Sequence, residues 1–548
     1  MKYLCKKIVL STVVLLISIC SLRAQNPDFD LGKNLEIQTT ILRALNSQYV
    51  DTVKLDELVT IGLNSMLASL DPYTIFIPEE SGEDLEMMTT GAYGGVGAII
   101  QKLPSGGILI SQIYENTPAV KYNLEPGDTI IAIDTVSTFD KSVSECSALM
   151  RGRPGSKVPM KIIKGRSGET VVVDLVRERI HVNDVVYSGF VNDTTGYILI
   201  GGFTLKGSED VKKAFLDMKE QGNLKQLILD LRGNGGGLMS EAVDILSLFV
   251  PKGTLVVSAK GKHPDANFEY RTQNNPIDTE IPLMVMVDGG SASSSEIVAG
   301  AIQDLDRGVI AGQRTFGKGL VQSIRPTGYN TSLKLTTAKY YTPSGRCVQA
   351  IDYSNKNNDG SAKPLPDSLR NEFRTASGRI VYDGGGISPD FELTQNTYSR
   401  PVIALSYSNI LNQFAIEFYK THPQIPAPGE FALSDEEYEE FVDFAAEQDF
   451  DARSQAYIQM EDVLKQAQNE GLLENNSELE GELKSALESL SKTKREVLTE
   501  NKEIIKLLLE DEIAIKYYFV RGGACSSLRG DKELDQALRM WAENDILN

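Results

Sequence analysis

The chain is 548 residues long, 41% hydrophobic and 24% charged, with a net charge of −20. That length implies several packed domains, and the acidic balance argues against non-specific nucleic-acid binding and against docking on anionic lipid. The five cysteines and three histidines stand at no metal-ligand spacing, so neither a metal site nor an obligatory disulfide framework is expected.

Residues 1–24 read as a secretion signal, with Lys2, Lys6 and Lys7 as the basic start, Ile8 to Ile19 as the apolar stretch and Ala24 as the cleavage edge. The apolar stretch is too short for a membrane span, so no stable span is expected after cleavage. A lipoprotein alternative at Cys20 is disfavoured by bulky Ile19, where a small residue is expected. Cleavage leaves Cys146, Cys347 and Cys525. It also makes the chain four charges more negative, because Lys2, Lys6, Lys7 and Arg23 leave with no acid.

Residues 25–87 form an N-terminal helical segment. Leu35, Ile37, Ile41, Leu42 and Leu45, then Leu55, Leu58, Val59, Leu63, Met66, Leu67 and Leu70, recur at helical spacing and predict two helices packed by their apolar faces. Asp71-Pro72 ends the second, since proline disfavours helix in the residue before it.

Residues 88–178 alternate short apolar runs with glycine turns and predict a small β-rich domain. Gly94-Gly95-Val96-Gly97 before the first strand, and Leu124-Glu125-Pro126-Gly127-Asp128 before the third, resemble a PDZ domain. Consecutive glycines let successive N–H groups converge on an anion, and the adjoining strand edge can pair with an extended peptide. The module is therefore expected to hold a substrate's free C-terminal carboxylate, with its pocket beside Val96 to Ile99 and the helix near Val143 to Met150. A plain hairpin turn is the alternative for these glycines.

Residues 179–398 open with strand (Tyr197–Ile200), helix (Ser208–Gln221) and strand (Gln226–Leu231), followed by Asp230-Leu231-Arg232-Gly233-Asn234-Gly235-Gly236-Gly237. Glycines at the end of a buried strand let backbone approach a ligand, and two N–H donors there could form an oxyanion hole. A purely structural role for the glycine run is the rival. Asp230 and Arg232 read as a structural polar pair.

The apolar run Leu283–Val287 predicts a buried strand, broken by Asp288-Gly289-Gly290. Ile297, Val298, Ala301, Ile302 and Leu305 then recur at helical spacing. Strand, glycine turn, serine cluster and helix present a hydroxyl at a helix N-terminus, where free N–H groups favour developing negative charge. Helix capping is the commoner role of serine there. A nucleophilic serine needs a base, and none of His181, His263 and His422 lies in a triad-like motif, nor is there a G-x-S-x-G elbow. A lysine kept neutral by desolvation is the alternative activator, and Lys318, between Gly317 and Gly319, is the candidate. If the segment is extended, Lys318, Leu320 and Gln322 share a face, so Gln322 could hold the pair in register. Gly312 to Lys318 fits the start of a phosphate-binding loop, but Gly319 stands where its magnesium-ligating hydroxyl residue belongs.

Ser291-Ala292-Ser293-Ser294-Ser295-Glu296, Thr315-Phe316-Gly317-Lys318-Gly319 and Val321-Gln322 resemble, in that order, the signature of the C-terminal processing peptidases, or tail-specific proteases. The resemblance spans about residues 34–395, up to Gly384-Gly385-Gly386-Ile387-Ser388-Pro389-Asp390. It implies Ser293 as nucleophile, Lys318 as its base and Gln322 as their support. It also implies Gly237 and Ser294 as oxyanion donors; from the sequence alone Gly236 serves nearly as well as Gly237. Ser294 replaces an alanine common in the family and is thereby a rival nucleophile. No cofactor is implied, and the periplasm is the expected compartment.

Residues 399–548 are expected to be helical. Ser434 with Glu437 and Ser477 with Glu480 read as capping boxes, and Leu479, Leu483, Leu487 and Leu490 continue at helical spacing. This region shows no chemistry of its own; bracing the core and forming an oligomer contact are the two roles left open. Its charge reads as a solvated face.

The expectation is an α/β multi-domain chain: N-terminal helices, an inserted PDZ domain, a crotonase-like α/β core and a helical C-terminal region. Its partners are polypeptides taken by their C-terminal ends. The rivals are a non-catalytic peptide-binding scaffold on the same fold and a crotonase-like acyl-transfer enzyme.

Overall fold

Leu283–Val287 is buried at every position, as only a strand covered on both faces can be. In the computed structural model, which describes residues 27–356, 362–474 and 476–543, this strand lies inside a six-stranded sheet. The expected leader 1–24, and Cys20 with it, lie outside the described residues. The chain divides into two compact units, one of residues up to Glu79 with Ile324–Leu335, the other of Glu80–Ser323 with Thr336 onward.

The first unit holds helices Pro27–Gln48 and Leu55–Ala68 and the strand Ile75–Ile77, which pairs antiparallel with Ser332–Lys334. Asp71 organises the turn after the second helix, accepting the N–H groups of Tyr73 and Thr74 at 2.8 Å. The apolar faces are not closed as the helical spacing predicts: Leu35, Ile37, Ile41, Leu58, Met66 and Leu70 are exposed and Leu67 is buried. Two helices and a three-residue strand supply too few layers to enclose a core.

In the second unit, the sheet runs in the order Val185–Phe190, Thr195–Ile200, Gln226–Asp230, Leu283–Val287, Val309–Gly312, Phe391–Glu392, antiparallel at the first pairing and parallel thereafter. The two-residue alternation of a strand sends Leu227, Leu229, Val285 and Val287 into one core, with helices Gly207–Glu220, Met239–Leu246 and Ser294–Asp304. Ile228, Met284 and Met286 enter a second core, closed by Leu534, Ala537 and Trp541 of the terminal helix Lys532–Glu543.

Ala98–Lys102, Ile108–Ile113, Thr129–Ile133, Lys157–Ile163 and Thr170–Val176, with the short Val136–Ser137 beside Thr129–Ile133, form the antiparallel sheet of the stretch that resembles a PDZ domain. Its core of Ile108, Ile110, Ile130, Met160 and Ile162 is closed by Cys146 and Met150 from the helix Val143–Met150. Ser142 and Glu145 cap that helix reciprocally.

The C-terminal helices share a core around Phe414, Tyr438, Phe441, Leu498, Ile505 and Leu509. Ser434 and Glu437 form the expected capping box, but the second box differs. Asn476 caps the helix Ser477–Leu490 by accepting the N–H of Leu479, because the better-placed side chain sits one residue earlier than Ser477. Cys146, Cys347 and Cys525 are free thiols. No helix among the described residues is long and apolar enough to cross a membrane.

Candidate active site

The turn after Leu283–Val287 is built by its own aspartate. Asp288 Oδ1 accepts N–H groups from Gly290 (2.9 Å) and Ser291 (3.1 Å), and also from Gly233 (2.9 Å) of the D-L-R-G-N-G-G-G loop. Three serine hydroxyls then stitch the two loops together: Ser291 Oγ donates to Leu231 O (2.8 Å), Ser294 Oγ to Gly237 O (2.9 Å) and Ser295 Oγ to Asn234 O (2.8 Å). All three serines are buried to 1% exposure or less, whereas Ser293 is only half-buried. Of the four serines in the run, Ser293 alone is not fully buried and takes no part in this stitching.

Ser293 precedes the helix with φ +56° and ψ −112°, a conformation that L-residues rarely adopt and that costs about 1–3 kcal/mol. Its surroundings enforce it. Tyr340 Oη donates to Ser293 O (3.1 Å), and Glu296 accepts the Ser293 N–H (2.9 Å). Burial pushes the Tyr340 phenol well above its ordinary pKa, so it remains a donor.

Glu296 is fully buried and is the hub of the site. Its Oε1 accepts Thr315 Oγ1 (2.6 Å) and Gly317 N–H (2.7 Å); its Oε2 accepts Ser293 N–H (2.9 Å) and Lys318 N–H (2.8 Å). Burial pushes its carboxyl above the ordinary range, and these four hydrogen bonds oppose that rise. The residues on either side of Lys318 are fixed as well. Gly319 donates its N–H to Gln349 Oε1 (2.8 Å) and accepts Tyr340 N–H (2.9 Å). A Cβ at Gly319 would fall 2.8 Å from the Gln349 nitrogen, so only glycine fits.

Sequence reasoning read Glu296 only as part of a motif. Its signal was the S-x-x-E spacing from Ser293, which places the carboxylate in the first turn of the helix.

Gln322 lies on the strand Leu320–Gly328, where its side-chain amide donates to Thr336 Oγ1 (3.2 Å) on the paired strand. In the glycine loop, Gly236 has φ +94°, and a Cβ there would fall 2.8 Å from Ser293 Cβ and 2.6 Å from Ala292 O. The Gly236 N–H donates to Asn234 Oδ1 (2.8 Å), so that donor is committed within the loop. Asn234, buried, is a second residue that sequence reasoning passed over; its amide also donates to Ile200 O (2.7 Å).

The histidines are engaged elsewhere: His181 with Asp210 (3.5 Å), His263 with Asp265 (3.3 Å), and His422 stacked on Phe418. Among the described residues, no group of three or more His, Cys, Asp or Glu side chains is placed to hold a metal ion.

In the PDZ domain, Gly95, Val96 and Gly97 line a cavity of about 220 Å³ with Ile99, Val143, Ser147 and Met150. Gly97 has φ +80°. Gly94 does not line this cavity. It pairs with Arg179, and a Cβ there would fall 2.1 Å from Gly152 O, so its absent side chain serves a close backbone crossing.

Family models for peptidase family S41, a PDZ domain and the C-terminal helical domain of a probable PDZ-protease match residues 194–354, 109–164 and 402–540. A carboxy-terminal-processing protease of Bartonella bacilliformis is 35% identical over 57% of this chain and 71% of its own length. A carboxyl-terminal-processing protease of Synechocystis sp. is 36% identical over 53% of this chain and 68% of its own. A solved photosystem II D1 C-terminal processing protease aligns over 64% of this chain and 91% of its own at 26% identity, with a TM-score of 0.34. By these matches the chain belongs to the PDZ-containing carboxyl-terminal processing proteases, a family of serine peptidases.

Proposed function

We propose that this serine peptidase works by a Ser293–Lys318 dyad on polypeptides captured by their C-terminal ends. The observation that carries the reading is the shared acceptor: one oxygen of buried Glu296 binds the N–H groups of both Ser293 and Lys318. Backbones fixed to one atom hold the chain at Ser293 and at Lys318 in a constant relation, the framework from which a hydroxyl and an amine can act as nucleophile and base.

In the proposed reaction, the neutral amine of Lys318 accepts the proton of Ser293 Oγ as that oxygen attacks the peptide carbonyl. The oxyanion is received by the N–H groups of Gly237 and Ser294; Gly236 is set aside because its N–H already serves Asn234. The Lys318 ammonium protonates the leaving amine. The amine, again neutral, then activates the water that hydrolyses the acyl-enzyme, and these steps use protein groups alone. Gln322, tied to Thr336, supports the lysine segment from the next strand.

The PDZ domain, proposed over 88–178, receives the free carboxylate at Gly95–Gly97 and the last side chain in the cavity beside Val143. The peptidase core is proposed over 179–398, between an N-terminal segment at 25–87 and C-terminal helices from 399. Residues 1–24 are proposed to direct export, in a bacterial cell to the periplasm.

The test is incubation of the mature protein with an unstructured polypeptide, beside Ser293→Ala and Lys318→Ala. Cleavage by the wild type alone supports the dyad. A protein that binds the polypeptide's C-terminus without cutting it is the scaffold, and full turnover by Lys318→Ala removes the lysine from the mechanism.

A further inference from the structure

The glycine loop and the far end of the chain meet at one guanidinium. Arg232, at the entrance to the loop, donates to Asp230 through Nε (2.9 Å) and Nη2 (2.5 Å). It also grips Asp531 as a two-pronged fork, Nη1 to Oδ1 (3.1 Å) and Nη2 to Oδ2 (2.5 Å), and Nη1 reaches Glu533 Oε2 (3.0 Å). Burial alone would lower the guanidinium pKa; Asp230 and Asp531 outweigh it and raise it. Glu533 has a second contact: its Oε1 accepts Gln313 Nε2 (3.2 Å), and Gln313 opens the segment that carries Thr315 and Lys318. One carboxylate of the terminal helix thus touches the entrance of both active-site loops.

This helix is a firm platform. Leu534, Ala537 and Trp541 are buried in the second core of the sheet, and Asp531 accepts the N–H of Leu534 (2.9 Å) at the helix start. The glycine loop is the opposite: Gly233 at φ +69° and Gly236 at φ +94°, with Gly235 between them, give it little stiffness of its own. Asn234 and the Ser294 hydroxyl tie its middle and end to the serine helix. Only its entrance is tied to the other face of the sheet, through Arg232. Apolar packing already docks the terminal helix, and a buried ion cluster adds little docking energy while fixing geometry closely.

We infer that Asp531 and Glu533 are positioning residues of the peptidase, holding the glycine loop in place through Arg232 and the lysine segment through Gln313. The inference rests on the serine-peptidase reading of those loops. The C-terminal region is then part of the catalytic module, and Asp531 and Glu533 are not part of a solvated face.

The experiment uses the full mature protein, with the isosteric variants Asp531→Asn and Glu533→Gln, singly and together, and Trp541→Leu as a packing comparator. The expected result for the pair is a fall in kcat of about 30-fold, less than the roughly 10²–10³-fold for removing an oxyanion donor. KM and affinity for a C-terminal peptide stay within about twofold. Amide exchange at 232–238 accelerates, while Trp541→Leu loses thermal stability but keeps kcat within about threefold. A pair variant with wild-type kcat overturns the inference, as does a Trp541→Leu variant that loses as much kcat. If the pair does not fold, the single variants decide by the same readouts. Should the wild type and Ser293→Ala prove equally inert, the peptidase reading fails by itself; unchanged exchange at 232–238 would then overturn the positioning role independently.

Discussion

Ser293 and Lys318, 25 residues apart in the chain, donate their backbone N–H groups to the same oxygen of Glu296, at 2.9 and 2.8 Å. A carboxylate can accept four donors at once; a carboxamide cannot, because its nitrogen faces N–H groups with N–H groups. Glu296→Gln is therefore expected to orphan one pair of donors, at about 1–3 kcal/mol for each. Both amide orientations damage the site, since Thr315 and Gly317 occupy the other oxygen. We expect kcat to fall by about 10²-fold or more with KM little changed, and the melting temperature to drop. Wild-type turnover by a folded Glu296→Gln protein would remove this carboxylate from the account.

Ser294 separates two roles that the serine cluster leaves open. Its hydroxyl donates to Gly237 O at 2.9 Å and its side chain is 1% exposed, so it is tied up and screened. Ser294→Ala is expected to keep cleavage within about tenfold of wild type, the loss coming from a loosened Gly237. Ser293→Ala is expected to lose about 10³-fold or more, as removal of a nucleophile does. The check is steady-state hydrolysis of one peptide by both variants, with an active-site titrant counting reactive serines. Labelling of Ser294→Ala and not of Ser293→Ala is the expected pattern, and the reverse would exchange their roles.

The legible parts of this fold and site are those governed by short-range spacing. Five apolar residues at 283–287 announced a two-sided strand; the S-x-x-E spacing that brings a carboxylate to Ser293 was present in the same stretch but was read only as part of a motif. What escaped is tertiary. Nothing beside Asp531 or Glu533 indicates that they meet Arg232, some 300 residues earlier in the chain. The serine run could not reveal which three hydroxyls stitch the loops, because their partners, Leu231, Asn234 and Gly237, lie about 60 residues away. Helical periodicity at 35–70 predicted closed apolar faces, but periodicity reports which residues share a face, not whether anything covers it.

The PDZ cavity predicts how substrate length and end group matter. Val143 sits on the helix beside Gly95–Gly97, partly exposed in a mixed apolar and polar cavity. Val143→Glu puts a negative charge where a substrate carboxylate and its last side chain are proposed to lie. We expect KM for a long polypeptide to rise about tenfold with kcat nearly unchanged, while a short internal peptide that cannot reach the PDZ domain is cleaved as before. An amidated C-terminus should raise KM in the wild type and make little difference in the variant. Equal KM for free and amidated substrates would remove carboxylate capture from the mechanism.

Asp511, on the first part of the helical span Lys502–Ser527, which is kinked at Tyr518 and Phe519, gives a pH dependence that is independent of catalysis. Burial pushes its carboxyl up to about 7, opposed by a hydrogen bond with Ser526 and the charge of Arg529, and assisted by Glu510 and Glu512. Because the folded-state value lies above the unfolded one, the folded protein binds the proton more tightly. Its contribution to stability is complete below the unfolded carboxyl value of about 4 and is lost as pH rises through about 7. Partial exposure to solvent reduces the effect to roughly 1–2 kcal/mol. Asp511→Asn keeps the shape and removes the titration, so it should gain stability on the wild type as pH rises from 5 to 8. Urea unfolding of both proteins across that range measures the difference directly. A wild-type-minus-variant gap that stays constant from pH 5 to pH 8 would show that this carboxyl does not titrate there, and a gap widening in favour of the wild type would reverse the sign of the argument.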